Sequence, residues 1–316
     1  MFPGELRAFH AVAQTGSIRK ASELLNVAPS SVSRKVALLE NQIGTALFDR
    51  THSGVVLTHA GELVAEYARS VVLDYDSLRA DLNDTRGSRR RLIRLAAVES
   101  SVSGGLVEAL TAFRQRFETV SFRLNMVPAP QVVEDVKRGE CDVGLTFCLA
   151  PQADIVAVAS IAEPIMLVVP NDHPLAGAAS VTLSDLKGLP LALPELSFGV
   201  RRIFDRASHE AGLATSLNIA LSSNTFEALR DFVRCGAGVA VLPYRAVLRE
   251  SEQGRLSVVP IEHASFSASA IDVITLRKHR MPRIVDSFID QLVRTFTANT
   301  RPPSATPPVT DVSRLR

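Results

Sequence analysis

The chain has 316 residues, 46% hydrophobic and 22% charged, with a net charge of +2; that is the make-up of a folded protein of two or three domains. No apolar run reaches the ~18 residues of a membrane helix, and no basic stretch followed by an apolar one opens the chain as a secretory signal would, so the expected compartment is the cytoplasm. The small net charge does not by itself mark a nucleic-acid binder, so that case rests on where individual charges fall.

Residues 5–14 set Leu6, Phe9 and Val12 or Ala13 on one helical face. The run TGS stops that helix, and Ser17 is suited to cap a second one that buries Ile18, Ala21, Leu24 and Leu25. Asn26 and Val27 form a tight turn. Pro29 suits the first position of a third helix, where its missing N–H costs nothing. Val32, Val36, Leu39 and Ile43 follow at helical spacing as a buried stripe, and Gly44 ends the helix as a left-handed cap. Thr51 to Leu57 reads as a small hairpin with His52, Ser53 and Gly54 at its tip. Thr58 caps a long helix over 59–85. Its apolar positions Leu63, Tyr67, Val71, Tyr75 or Asp74, Leu78 and Leu82 recur at nearly every seventh or fourth residue. That stripe calls for a partner helix from a second chain.

TRGSRRR, residues 85–91, is polar throughout and marks a boundary. After it the period changes to alternating strands and helices: RLIRLAAV, GLVEALTAFRQRF, FRLNMV, VVEDVKRG and CDVGLTF. A second unit follows with IMLVVP, RRIFDRASHEAG, LNIAL, FEALRDFVRCG and GVAVLP. SAIDVITL and the helix IVDSFIDQLVRTF then return to the first unit. This predicts two small α/β lobes with mostly parallel sheets and a cleft between them. The final residues, 299–316, are rich in Pro, Ser and Thr and are expected to be disordered.

The segment APSSVSRKVALLE, residues 28–40, carries the functional signal. A helix-turn-helix needs a small residue where its helices cross, a tight turn, and a second helix with donors on its outer face. Ala21, the Asn26–Val27 turn, and Ser30, Ser31, Ser33, Arg34 and Lys35 meet those needs. Hydroxyls bind phosphates or base edges, arginine binds guanine bidentately, and lysine meets phosphate as a point charge. Residues 1–60 hold six basic against four acidic side chains, so the local excess is modest. An ordinary amphipathic helix with a solvated basic face fits the same pattern.

Residues 2–86 resemble the winged helix-turn-helix and linker helix of the LysR-type transcriptional regulators. The resemblance is carried by Leu6, Phe9, Val12, Gly16-Ser17, Ala21, Leu24, Ser33, Val36, Leu39-Glu40, Gly44, Leu47-Phe48, Arg50, Leu57-Thr58 and Ala60-Gly61. LLENQIGTALFDR is its most specific segment. A looser likeness, in GECDVGL and VRCGAGVAVLP, extends to about residue 297. Three positions depart from the family: Ser22 stands for a second alanine, Pro29 for a glutamine near the DNA, and Val107 for a helix-opening proline.

The resemblance implies an α/β multidomain protein. It would have a winged helix-turn-helix over 1–58, a dimerising linker helix over 59–86, and a two-lobed, periplasmic-binding-protein-like effector domain over 87–298. The lobes would span 91–160 with 269–297, and 161–268. It implies that Ser30, Ser31, Ser33, Arg34 and Lys35 face the major groove or its phosphates, and that Arg50, His52 and Ser53 on the wing approach the backbone or minor groove. The implied partners are double-stranded DNA bearing an inverted repeat, a small effector, RNA polymerase, and further copies of the chain as a dimer or tetramer. No membrane partner, cofactor or metal is implied.

Carried over by position, the cleft offers Glu99, Ser100, Ser101, Thr146 and Phe147 from the first lobe. The second lobe offers Ser197, Phe198, Gly199, Asn224 and Thr225. Hydroxyls and backbone N–H groups at helix starts suit a small acid. Glu99 would repel one unless paired, and would favour an amino group; a hinge salt bridge is its structural alternative.

Other chemistries find little support. Ser17-Ile-Arg-Lys20 fits S-x-x-K without the companion strings, and Gly236-Ala-Gly238 lacks the third glycine of a dinucleotide fingerprint. The seven histidines make no closely spaced ligand pair, so no enzyme is expected. The three cysteines, Cys141, Cys148 and Cys235, read as buried small hydrophobes, with a redox pair of Cys141 and Cys148 as the alternative. The effector domain alone would also permit a solute-binding protein without a DNA role.

Overall fold

The computed structural model describes residues 4–51, 54–84, 91–277 and 281–298. The predicted hinge over 85–90, the wing tip at His52 and Ser53, and the tail from 299 lie outside these residues. The chain divides into two units, essentially residues 1–88 and 89–316.

The first unit opens with α1 (Gly4–Thr15), α2 (Ile18–Leu25) and α3 (Pro29–Ile43). Ser17 caps α2, its hydroxyl accepting from Lys20 N at 3.4 Å. Asn26 turns the chain at φ 53, and Gly44 ends α3 at φ 82. Ala8, Val12, Ala21, Val32 and Val36 form one core cluster, and Phe9 joins Leu6, Leu39 and Leu47 in a second. Burying a phenylalanine as fully as Phe9 contributes roughly 2–3 kcal/mol. Two expected core positions are exposed instead: Leu24 on α2 and Ile43 on α3. Each lies at the outer edge of its helical stripe, beyond reach of the facing helix. Ser22 takes a buried place on α2 and satisfies its hydroxyl on Arg19 O at 2.7 Å.

The hairpin begins earlier than predicted. Strand β1 (Phe48–Thr51) pairs antiparallel with β2 (Gly54–Leu57). The Glu40 carboxylate sets its start by accepting from Leu47 N at 2.8 Å and Phe48 N at 3.2 Å. Gly16 O accepts from Val55 N at 3.1 Å, which ties the first helical turn to the wing. A Cβ at Gly54 would stand 2.6 Å from Gly16 O, so only glycine permits this approach.

Thr58 caps α4 (His59–Asp84), its hydroxyl accepting from Gly61 N at 3.0 Å. The 26 residues of α4 span about 39 Å at 1.5 Å per residue. Helix α4 packs on its own unit by a face other than the one the Leu63, Tyr67, Leu78 spacing marks. Ala65 and Ala68, with part-buried Val64 and Val71, close over Leu6 and Leu47. Leu63, Tyr67 and Leu78, on another face, stay exposed.

The second unit runs β3 (Arg91–Ala97), α5 (Glu99–Ser101), a π-turn Val102–Leu106, α6 (Val107–Arg116), β4 (Val120–Met126), α7 (Ala129–Lys137), β5 (Val143–Phe147) and β6 (Ile155–Ala162). It continues through β7 (Ile165–Pro170), β8 (Pro190–Pro194), α8 (Gly199–Glu210), β9 (Asn218–Ser223), α9 (Phe226–Arg234), β10 (Val239–Pro243), α10 (Leu248–Glu252), β11 (Leu256–Pro260), α11 (Ala264–Ser267), β12 (Ala270–Leu276) and α12 (Arg283–Ala298). The strands form two five-stranded sheets, ordered β4-β3-β5-β12-β6 and β11-β7-β10-β8-β9. The return of β12 to the first sheet is as predicted. On α12, Phe288 packs against Phe113 and Phe122 with ring centres 5.4 and 5.0 Å away.

Both sheets are mixed rather than mostly parallel. Strand β12 runs antiparallel to β5 and β6, and β7 runs antiparallel to β10 and β11. The chain crosses between lobes twice, and each crossing strand enters its new sheet reversed. Strands β6, β8 and β11 went unread: β8 and β11, of five residues each, are short, apolar and end on proline, a pattern shared with loops, while the eight-residue β6 has no matching helix after it to mark a β-α unit.

Candidate functional sites

Helix α3 presents two faces. Val32, Val36 and Leu39 are buried. On the opposite side Ser30 and Arg34, one turn apart, are exposed, while Ser31, Ser33 and Lys35 sit half-buried on the flanks. Lys35 folds back over α1, its Nζ 3.3 Å from where a Cβ of Gly4 would stand. Arg34 makes no ion pair among the described residues, whereas the exposed Arg19 is held by Glu23 at 3.5 Å. The start of α3 has no side-chain cap and no acidic residue in its first turn. That leaves an electropositive helix end beside Ser30. Arg50 lies in β1 opposite Val55; its side chain, with His52 and Ser53, lies outside the described residues.

In the second unit a cavity of about 570 Å³ lies between the two sheets. Glu99, Ser100, Phe147, Ser197, Phe198, Gly199 and Asn224 all line it, from both lobes. Three expected residues do not. Ser101 is fully buried and returns its hydroxyl to Val98 O. Thr146 shares a sheet face with Gly144 by strand alternation, and a Cβ at Gly144 would press on Val132 and Val136 of α7. Thr225 is exposed, its Oγ1 3.5 Å from Ser223 Oγ.

The cavity also takes residues that sequence reasoning missed. Met126, Val127, Pro128 and Ala129 come from the turn between β4 and α7, and Glu195 from the end of β8. The first four follow a strand's carboxyl end, the general place for α/β ligand sites, and that signal was available.

Two contacts join the lobes across this cavity. The Glu99 carboxylate accepts from Phe226 N at 2.9 Å, so it caps α9, whose own Thr225 makes no side-chain cap. Burial pushes the Glu99 carboxyl up, against the opposing pull of the Phe226 N–H and the Arg230 charge. At the second contact, a Cβ at Gly199 would come 2.8 Å from Phe147 Cδ1 and 3.3 Å from Phe147 O. Glycine there lets α8 approach the end of β5.

Residues 3–62 match the family of bacterial regulatory helix-turn-helix proteins of the lysR type, and residues 86–297 match the LysR substrate binding domain. The chain belongs to the LysR family of transcriptional regulators. This LysR-type regulator is 30% identical over 258 residues to a RuBisCO operon transcriptional regulator of Allochromatium vinosum, covering 82% of this chain and 84% of that one. It is also 30% identical over 246 residues to an uncharacterised HTH-type regulator, YfeR, of Shigella flexneri, covering 77% and 78%.

Among solved structures, a full-length OxyR variant from Pseudomonas aeruginosa is similar with a TM-score of 0.70 at 22% identity, covering 92% of this chain and 94% of that one. Full-length CbnR in complex with its target DNA has a TM-score of 0.54 at 21% identity, with 94% and 100% covered. These likenesses bear on the fold: an N-terminal helix-turn-helix followed by a two-lobed α/β effector-binding domain. The match over residues 3–62 removes the reading of a solute-binding protein without a DNA role.

The cysteines form no redox pair within the chain. Cys141 and Cys148 flank β5 at opposite ends, and seven extended residues separate them by on the order of 20 Å, far beyond the ~7 Å a disulfide allows. Burial pushes the Cys141 thiol up to about 12, which keeps it protonated and inert. Among the described residues no group of side chains could hold a metal ion, and no helix is long and apolar enough to cross a membrane.

Proposed function

We propose that this regulator reads an inverted-repeat operator with α3, and that a small molecule in the interlobe cavity sets its activity. The observation that carries the DNA reading is the exposed pair Ser30 and Arg34 opposite the buried Val32 and Val36. The guanidinium has no competing carboxylate among the described residues, so it is available to a guanine edge or a phosphate. Ser31, Ser33 and Lys35 flank it toward the phosphates, and the wing residues Arg50, His52 and Ser53 approach the backbone or minor groove. Two chains pair through the exposed face of α4, with dimers of dimers as the larger assembly; RNA polymerase is the further partner at a promoter. The cytoplasm is the compartment in which such a protein meets its DNA.

A cavity lined from both lobes supports the effector reading, since a ligand there contacts two bodies at once. It shifts their arrangement by its differential affinity for the alternatives. The test is a footprint of the purified protein on DNA flanking its own gene, at stated salt, followed by a genome-wide pull-down. Protection of a short inverted repeat supports the reading. No protected site in either experiment overturns it.

A further inference from the structure

We propose that the interlobe cavity selects an organic cation with an apolar body rather than a small acid. This rests on the reading of that cavity as the effector site. Three observations carry the choice.

The first is that an obvious seat for an anion is filled from within. The N-terminus of α9 faces the cavity, and Glu99 from the other lobe already accepts its Phe226 N–H. An acidic ligand must evict this carboxylate or lie against it.

The second is the charge of the wall. Glu99 and Glu195 line the cavity, and among the described residues no lysine or arginine does. Of the nearby cations, Arg202 is close enough to act on Cys148 but does not line the cavity, and Arg230 and Arg201 are committed elsewhere. Arg230 donates to Ala246 O at 2.7 Å and pairs with Glu227 and Glu250. Arg201 holds Asp205 at 2.8 Å and Pro194 O at 3.2 Å. The uncapped start of α8 at Gly199 also faces the cavity, but Glu195, four residues earlier, brings negative charge to the same wall.

The third is an available hydroxyl. Ser100 lines the cavity at 3% exposure, and its hydroxyl has no hydrogen-bond partner among the described residues. That hydroxyl is available to a ligand in the cavity. Most of the rest of the wall, including Met126, Pro128, Phe147 and Phe198, is apolar, with Ser197 and Asn224 as its further polar side chains. The volume lies within the usual range for small-molecule sites. An alkyl or aryl ammonium ion would place its body among these side chains and its charge between the two carboxylates, with one polar atom on Ser100.

Matched fragments test this on the full-length protein: aryl-alkyl ammonium ions such as phenethylammonium, carboxylates such as 3-phenylpropionate, and the corresponding alcohols. Binding is read by calorimetry and by NMR of the Met126 methyl. The expected order is ammonium, then alcohol, then carboxylate, with about tenfold or more between the extremes. Glu195→Lys, an exposed position that tolerates substitution, is expected to reverse the order. Glu99→Gln is expected to weaken ammonium binding several-fold. Carboxylates binding best to the unaltered protein would overturn the charge assignment while leaving the cavity as the effector site. An unmoved Met126 signal with all three classes would overturn the cavity reading itself, and the charge assignment with it.

Discussion

Arg245 and Glu163 form an ion pair with both side chains fully buried, at the point where the chain passes from one lobe to the other. Glu163 sits between β6 and β7, and Arg245 lies two residues beyond the end of β10. The Arg245 backbone N–H donates to Glu163 Oε1 at 2.8 Å. Its guanidinium also donates to Ala162 O at 2.9 Å and to Phe296 O on α12 at 3.1 Å. One side chain from the second lobe thus ties together two elements of the first. Removing one partner of such a pair leaves a buried charge alone, at a cost of about 3–5 kcal/mol. Arg245→Met is therefore expected to lower the urea midpoint sharply. The double variant Glu163→Leu/Arg245→Met should recover part of the loss. It will not recover all of it, because the bonds from the guanidinium to the carbonyls of Ala162 and Phe296 are lost. A single variant as stable as the parent would show that the pair holds nothing.

Arg34 offers the sharpest test of the DNA face. If it reads a base, Arg34→Ala weakens operator binding by about 1–3 kcal/mol and relaxes preference at one position. If it holds a phosphate, binding falls evenly across sequences and the salt slope flattens by about one. Titrations at several salt concentrations on operator and random DNA separate the two. Unchanged binding removes Arg34 from the interface.

The exposed face of α4 predicts the assembly. Leu63 is 62% and Tyr67 64% exposed in the single chain, so charge can be placed there without disturbing the fold. Leu63→Glu with Leu78→Glu should shift the sedimentation coefficient toward monomer and abolish protection of a paired half-site. Retention of the parent assembly would place the interface elsewhere.

His10 gives the DNA-binding unit a pH dependence. It is buried in α1 at 9% exposure, and desolvation, assisted by the Arg69 charge, lowers its pKa from 6.5 to about 4. The unfolded chain therefore takes up the proton first. Stability is fully present above pH 6.5 and is lost as pH falls toward 4, by about 3 kcal/mol in all. Thermal melting followed on the methyl signals of Val12 and Val32 should show this fall, and His10→Leu should flatten it. An equally steep fall in the variant would assign the dependence to other groups.

The first unit was largely legible because its signals are local. Ser17 caps the residues that follow it, Gly44 ends the helix that precedes it, and the stripe Val32, Val36, Leu39 needs only helical spacing. Where it misled, at Leu24 and Ile43, the error came from neighbours. Periodicity tells which residues share a face, not how far the facing element extends, nor that Ala65 and Ala68 would seat α4 on its own domain.

Much of the order of strands and helices in the second unit, though not β6, β8 and β11, was also written in the chain, since apolar runs of about five residues alternating with amphipathic stretches fold in few ways. The sequence by itself determined the element types, the helix-turn-helix, the return of β12 and α12, and the approximate composition of the cleft. Only the tertiary structure decided which way β7 and β12 run, that Ser101 and Thr146 turn away from the cavity, that Glu195 and the turn after β4 enter it, and that Glu99 caps a helix 127 residues away. Such contacts depend on the relative placement of two sheets, which is set by the sum of all packing. No local pattern encodes the partner of a carboxylate that reaches across a cleft.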